Sequence, residues 1–437
     1  MTSDSNALDA VHEVRLDNGF RALLVRRPHL PLVASVVYYQ VGARDERTGE
    51  TGLSHFLEHM MFKGTDQYKV GEIDALTSKL GGSNNAFTDN DSTAYYFALA
   101  SDRWHSALEI EASRMQSCSF EPGEFESEKR VVLEEMSMGE DDPWRRLWHA
   151  TEGLAFQVHP YHHPVIGYHH DVANSSPESM RAYYERNYGP NRAFLVAVGD
   201  LDVEETTAKI KELFGPLKPV EERAELPAEP KSRDERRSII RFPGETPRLA
   251  MACRGAKMGE DDDFALDIIG HILGSGRNAR PVQRLVLKEQ CATHAGTHND
   301  ARSEEGLFWI TIECRPDRQA EECEAFARQE LERMASEGPT QEEVDRARTQ
   351  ISSSFLFEDE TALNHALKLG RFEANAIGGR GLIDTLLERY DAFTTEQLRE
   401  VAARLFRPES WTVVWSLPED SAVSRPGDVG TEERQPA

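Results

Sequence analysis

The sequence predicts an α+β protein of two homologous domains, each a mixed β-sheet flanked by helices. Three observations carry this expectation. A chain of 437 residues exceeds what one hydrophobic core holds. The stretch Pro216 to Arg236 is rich in Pro, Glu, Lys and Arg, has almost no apolar periodicity, and reads as a linker. The order of strand and helix signals before it recurs after it. The expected division is therefore one domain over 1–216, a linker over 217–236, a second domain over 237–418 and a disordered polar tail over 419–437.

Val14 to Arg27 carries Asp17-Asn18-Gly19 between two alternating apolar stretches and reads as a hairpin. Leu32 to Val41 is a β-branched and aromatic run, hence a strand. A helix around His55 follows, then one over Val70 to Leu80 closed by Gly81-Gly82. Ser83 to Phe87 and Ser92 to Ala100 read as strands joined through Asp89-Asn90-Asp91. Helices are predicted over Asp102 to Gln116 and Glu124 to Gly139, the latter with Pro122 just ahead of it. A helix beginning at Ser176, a buried strand over Ala193 to Gly199 and a helix over Val203 to Phe214 close the first half.

The second half repeats the order: strands at Ser238 to Phe242 and Arg248 to Arg254, then helices at Asp262 to Leu273 and Ala279 to Lys288. Strands at Ala292 to Asn299 and Gly306 to Cys314 come next. Helices follow at Gln319 to Ala335, Thr340 to Phe357, Asn364 to Ala376, Leu382 to Phe393 and Thr395 to Leu405, before a strand at Trp411 to Ser416.

With 39% hydrophobic and 29% charged residues the composition is that of a soluble globular chain. No apolar run reaches the roughly 18 residues needed to span a bilayer. The formal net charge of −26 argues against nucleic acid and against an anionic membrane surface as partners. The start, Met1 to Ala10, has neither a basic region nor an apolar core, so a cytoplasmic location is the expectation. Cys118, Cys253, Cys291, Cys314 and Cys323 are odd in number and show no Cys-x-x-Cys spacing, which indicates neither a disulfide framework nor a cysteine metal site.

The chemistry concentrates in Gly52-Leu53-Ser54-His55-Phe56-Leu57-Glu58-His59-Met60-Met61-Phe62. On a helix, His55 and His59 project from one face a turn apart, with Glu58 beside them. Two imidazoles at that spacing suit a zinc ion, and a carboxylate over the open coordination position suits a general base. The order His-x-x-Glu-His inverts the commoner His-Glu-x-x-His motif. The matching helix of the second half, Leu266 to His271, has no ligand pair, so one copy of the duplication is chemically live. A third protein ligand is expected from the acidic helix Glu124, Glu126, Glu128, Glu134, Glu135. Glu128 and Glu135 are two turns apart on one face, able to supply one ligand and one acceptor for a ligating imidazole. The histidines at 159, 162, 163, 169 and 170 are interleaved with Pro160, Pro164 and Gly167 and read as a loop, not a second metal site.

The chain resembles the pitrilysin-type zinc peptidases, family M16, most closely the short branch that includes the mitochondrial processing peptidases. The resemblance rests on Gly52 to Gly64 with its His-x-x-Glu-His, on Gly81-Gly-Ser-Asn-Asn85-Ala86-Phe-Thr88, on Glu128 and Glu135, and on His159-Pro160-Tyr161 through Gly167. It implies a clamshell peptidase of which this chain forms half, with one zinc ion per chain held by His55, His59 and Glu135. By the same resemblance Glu58 is the general base, Glu128 supports the ligands, and Asn85-Ala86 lie on an edge strand that takes the substrate as an added strand.

One departure matters. Members of the family that act alone carry an Arg and a Tyr seven residues apart in the second half, where this chain has Val286 and Thr293. An aliphatic side chain cannot stabilise an oxyanion. The expectation is the metal-bearing subunit of a heterodimeric zinc endopeptidase, cleaving short or unfolded peptides, whose homologous partner supplies Arg and Tyr. The alternatives are a self-sufficient homodimeric oligopeptidase using another donor such as Arg280, and a non-catalytic zinc-retaining subunit for peptide binding or assembly.

Overall fold

The computed structural model describes residues 10–419 and places two mixed sheets of matching topology side by side. The tail predicted to be disordered lies, beyond Glu419, outside the described residues. In the first half come β1 (Val11–Arg15), β2 (Arg21–Arg26), β3 (Leu32–Tyr39), α1 (Leu53–Met60), α2 (Glu72–Lys79), β4 (Ser83–Thr88) and β5 (Thr93–Ala100). They are followed by α3 (His105–Gln116), α4 (Pro122–Glu140), α5 (Pro143–Ala155), α6 (His169–Asn174), α7 (Pro177–Asn187), β6 (Ala193–Gly199) and α8 (Val203–Phe214). The second half has β7 (Arg236–Phe242), β8 (Arg248–Arg254), α9 (Asp261–Gly274), a π-helical segment Val282–Lys288, β9 (Ala292–Asp300) and β10 (Leu307–Cys314). Then come α10 (Ala320–Ser336), α11 (Gln341–Phe357), α12 (Ala362–Asn375), α13 (Leu386–Ala392), α14 (Thr395–Leu405) and β11 (Trp411–Pro418).

The first sheet runs β1-β2-β6-β3-β5-β4 and the second β7-β11-β8-β10-β9. In each, the first and last strands of the repeat pair in parallel, β2 with β6 and β7 with β11, and the remaining pairs are antiparallel. The duplication read from the order of elements is thus a duplication of topology, with β4 and β9 the equivalent edge strands and α1 and α9 the equivalent helices.

β3 is buried on both faces over Val33 to Tyr39, which its near-continuous apolar sequence requires. Val33, Val37 and Tyr39 face a core with α1, α3 and α4 residues, whereas Ala34, Val36 and Tyr38 face a core shared with the second half. What covers the second face is α12, which packs on β3 and β6. Gly370 makes this possible: a Cβ there would lie 1.9 Å from the Tyr38 ring, and the Tyr38 hydroxyl donates to the Leu367 carbonyl at 3.0 Å. The exchange is reciprocal. Helix α5, in the equivalent place of the first half, packs its Leu147 and Ala155 against Ala250, Ala252 and Val414 of the second sheet. Each half lends one helix to the other's sheet.

The sequence carried no expected element for α5, although Asp142 caps it through the Trp144 and Arg145 N–H groups and Pro143 opens it. Other corrections are local. The predicted helix at Ala279 to Lys288 is largely π-helical, and Leu382 to Phe393 divides into a 3₁₀ stretch, Gly379–Thr385, and α13. The last strand extends to Pro418, which pairs with Phe242. His169 and His170 begin α6 instead of lying in a loop. Residues 217–235 carry no helix or strand but are tied down. Arg223 Nε pairs with Asp45 at 2.7 Å, and Glu229 accepts N–H groups of Gln157, Val158 and His159.

Candidate metal centre

α1 buries Leu53, Phe56, Leu57 and Met60, which leaves His55, Glu58 and His59 along its flank. Its start is built with care. Gly52 is left-handed (φ 88°), and a Cβ there would lie 2.5 Å from the Ile166 carbonyl oxygen. Because glycine offers no capping side chain, Glu46 does that work from outside the helix, accepting the Ser54 N–H at 2.7 Å and the Gly52 N–H at 2.9 Å. Complete burial pushes the Glu46 carboxyl up to about 8, against the pull of those two bonds.

α4 lies against α1 and buries Phe125, Glu128, Val132 and Met136 in one stripe. The two helices bring His55, His59 and Glu135 together, with one donor atom of each inside a 4.8 Å sphere of mutual distances. Glu135 Oε2 lies 3.7 Å from His55 Nε2 and 3.8 Å from His59 Nε2. These separations are too long for hydrogen bonds and suit atoms that share one small cation. His59 Nδ1 donates to Glu128 Oε1 at 2.9 Å, and Glu128 Oε2 holds the Lys63 ammonium at 2.6 Å. Burial would raise the Glu128 carboxyl, but the bonds from Lys63 and His59 outweigh it and hold it below its ordinary value. Glu134, from the same acidic run, is not part of the cluster.

Burial, the neighbouring His59 and the Arg145 charge push His55 down to about 4, so it stays neutral as a metal ligand must. His55 Nδ1 is buried without a hydrogen-bond partner. Glu58 sits beside the cluster, its Oε2 accepting the Thr88 hydroxyl at 2.5 Å. Burial raises the Glu58 carboxyl, with the Thr88 bond and His59 opposing and Glu135 adding to the rise. The donor set of two imidazoles and a carboxylate therefore fits zinc by chemistry and by spacing.

Thr88 ends β4, an edge strand paired only with β5. The Ala86 N–H is taken by the Asn85 side-chain oxygen at 2.9 Å, so it points off the sheet toward the free edge. Asn85 is exposed and Ala86 half-buried, and the edge runs past Glu58. Phe87 lies edge-on to Tyr38 at 6.1 Å between ring centroids, a packing contact.

In the second half, Val286 packs against the core and Thr293 is exposed, its hydroxyl 3.3 Å from the Glu313 carbonyl. Arg280 is bidentate to Glu343 at 2.7 Å and donates to the Gly338 carbonyl, with its Nη1 buried and without a hydrogen-bond partner among the described residues. A cavity of about 610 Å³ lies beside α9, β9 and α11, the elements equivalent to those around His55, and includes Asp263, Asp267 and His271. Among the described residues only His55, His59 and Glu135 form a group close enough to hold a metal ion, and none of them lines this cavity. The sequence assigns no role to Lys63, Thr88 or Arg145, although Lys63 and Thr88 lie in the two stretches that carry the family resemblance. Lys63 alone had a periodic signal, one turn beyond His59.

Residues 21–167 match the family model described as Insulinase (Peptidase family M16), and residues 174–351 match that described as Peptidase M16 inactive domain. The chain belongs to peptidase family M16. Among M16 relatives, the zinc protease PqqE of Helicobacter pylori is 29% identical over 417 residues, 93% of each chain. An uncharacterized zinc protease of Streptomyces coelicolor is 25% identical over 432 residues, 96% of this chain and 92% of that one. The crystal structure of a protease from Helicobacter pylori superposes with a TM-score of 0.88 at 26% identity, covering 94% of this chain and 100% of that one. The periplasmic protease PqqL of Escherichia coli shares the fold at a TM-score of 0.75 and 21% identity, this chain spanning 48% of its length. Helices α1 and α4 lie inside the first match, and the second begins within the first half, at residue 174, and runs to 351.

Proposed function

We propose that this chain is a zinc-dependent endopeptidase subunit that cleaves short or unfolded peptides, completed by a homologous M16 partner. The observation that carries the peptidase reading is the convergence of His55 Nε2, His59 Nε2 and Glu135 Oε2 next to a held Glu58 carboxylate and an open strand edge. A zinc ion held by His55, His59 and Glu135 would supply Lewis acidity and lower the pKa of its water. Glu58 takes the proton of the attacking water and returns it to the leaving amine, with Thr88 fixing the orientation of its carboxylate. Glu128 holds His59 in the tautomer that presents Nε2. The free edge of β4 at Asn85-Ala86 binds the peptide backbone as an added strand, which selects extended chains over folded ones.

The partner requirement is supported by Val286 and Thr293, neither of which carries a cation, and by the engagement of Arg280 with Glu343. A partner of the same family would supply Arg and Tyr across the chamber. A cytoplasmic location belongs to the same reading: the five cysteines are free and buried, as suits a reducing compartment. Among the described residues no helix is long and apolar enough to cross a membrane.

The test is hydrolysis of a quenched, unstructured peptide by the zinc-loaded chain, alone and mixed with a homologous chain that lacks His-x-x-Glu-His but carries the Arg and Tyr. Chelator-sensitive activity only in the mixture supports the divided site. Activity from this chain alone contradicts the partner requirement and favours the homodimeric oligopeptidase. Absence of cleavage in both, with zinc bound, favours the assembly subunit.

A further inference from the structure

Arg145 stands in the first turn of α5, its N–H accepted by the Asp142 side chain at 3.1 Å. Its side chain crosses to α4. A Cβ on Gly139 would lie 2.8 Å from both Cδ and Nη1 of Arg145, so the guanidinium rests on bare backbone. Gly139 is four residues beyond Glu135, one turn along the same face. The guanidinium is therefore stationed about one helical turn from the carboxylate that meets His55 and His59, and its charge is felt at His55 and at His149.

Among the described residues Arg145 has no ion pair, and its guanidinium has no hydrogen bond. Among the described half-buried arginines Arg146 and Arg346 also lack an ion pair, but Arg146 lies over the Phe242 ring, and many others are paired. Arg114 pairs with Glu111, Arg186 with Glu50, Arg192 with Asp45 and Arg302 with Glu152. The acid one turn away, Glu135, is turned to the histidines. A half-buried guanidinium is a rigid fork of donors matched to a carboxylate, and here the carboxylate is missing from the chain itself.

The geometry points to Arg145 as the residue that receives a carboxylate of the bound peptide, either an Asp or Glu side chain near the scissile bond or the free C-terminus. The assignment rests on the peptidase reading and adds a substrate preference to it. The net charge of −26 works in the opposite direction, favouring basic peptides. A preference for an acidic group therefore has to come from a local cation.

The test uses the zinc-loaded full chain carrying Glu58→Gln, which holds peptide intact. Binding is read by anisotropy of labelled ten-residue unstructured peptides in which Gln is replaced by Glu or Lys, one position at a time, with the C-terminus free or amidated. Glu at one position, or the free terminus, should bind about tenfold tighter than its neutral counterpart. Which of the two does so identifies the source of the carboxylate. Adding Arg145→Gln should abolish the preference and Arg145→Glu should invert it toward Lys. Gly139→Ala, which displaces the guanidinium and leaves its charge, should weaken it. Equal binding of Glu, Gln and Lys peptides overturns the assignment. So does an Arg145→Gln enzyme with unchanged binding and the same loss of turnover on every peptide, the signature of a carbonyl donor. Acid-selective binding by a wild-type chain that cleaves nothing would refute the peptidase reading and leave Arg145 standing.

Discussion

His59 Nδ1 lies 2.9 Å from Glu128 Oε1, which leaves His59 Nε2 as the nitrogen facing Glu135. Glu128 is itself fixed by Lys63, so the orientation of a ligating ring is set by a chain of two contacts beyond it. Glu128→Ala should lower zinc affinity by about 10–100-fold, read by competition with a chelating dye. Lys63→Met should have a smaller effect in the same direction, because Glu128 keeps its bond to His59.

The exchange of helices between the halves makes Gly370 a position with no room. Alanine would put a methyl group 1.9 Å from the Tyr38 ring, and both α12 and β3 are held in place by their own packing. Overpacking of this kind costs about 1–3 kcal/mol, measurable as a lowered midpoint in urea. An effect on the stability of only the second half, with the first unfolding as in wild type, would show that the two sheets do not depend on the shared helix.

Asp263 and Asp267 share the side-chain amide of Asn299 at 2.7 and 2.9 Å, and Tyr390 donates to Asp267. Burial, and then the charge of Asp267, pushes Asp263 from 3.8 up to about 7; burial also raises Asp267. The folded chain therefore keeps a proton that the unfolded chain releases near 3.8. Folding binds that proton between the two values, so this pair makes stability fall as pH rises from about 4 toward 7. Asp263→Asn should flatten that fall, gaining relative to wild type at pH 8 and not at pH 4, in thermal melts across the interval.

The parts of the fold legible in the sequence were those written in local periodicity. The Asp17-Asn18-Gly19 hairpin, the doubly buried β3 and the order of elements in both halves follow from apolar spacing and turn residues. His55 and His59 meet because four residues make one turn, and Glu128 and Glu135 because seven make two; contact between the two pairs is tertiary and was implied by resemblance. Helix α5 was missed although Asp142-Pro143 is a start signal, because its apolar stripe is interrupted by Arg145, Arg146 and His149 and is completed only by the second sheet. Arg145 had no signal at all, since its significance lies in Gly139 across the helix pair. The engagement of Arg280 with Glu343 joins residues far apart in sequence, which no spacing argument could anticipate.

The central claim is that Glu58 moves the proton at a zinc site built by His55, His59 and Glu135. The most direct test is Glu58→Gln in a preparation whose metal content and peptide turnover are measured together under the conditions in which wild type is active, with a homologous partner present if that is required. The account predicts zinc content equal to wild type and a loss of turnover of at least about 100-fold, the scale of a general base. Retained turnover by a zinc-loaded Glu58→Gln chain would contradict it.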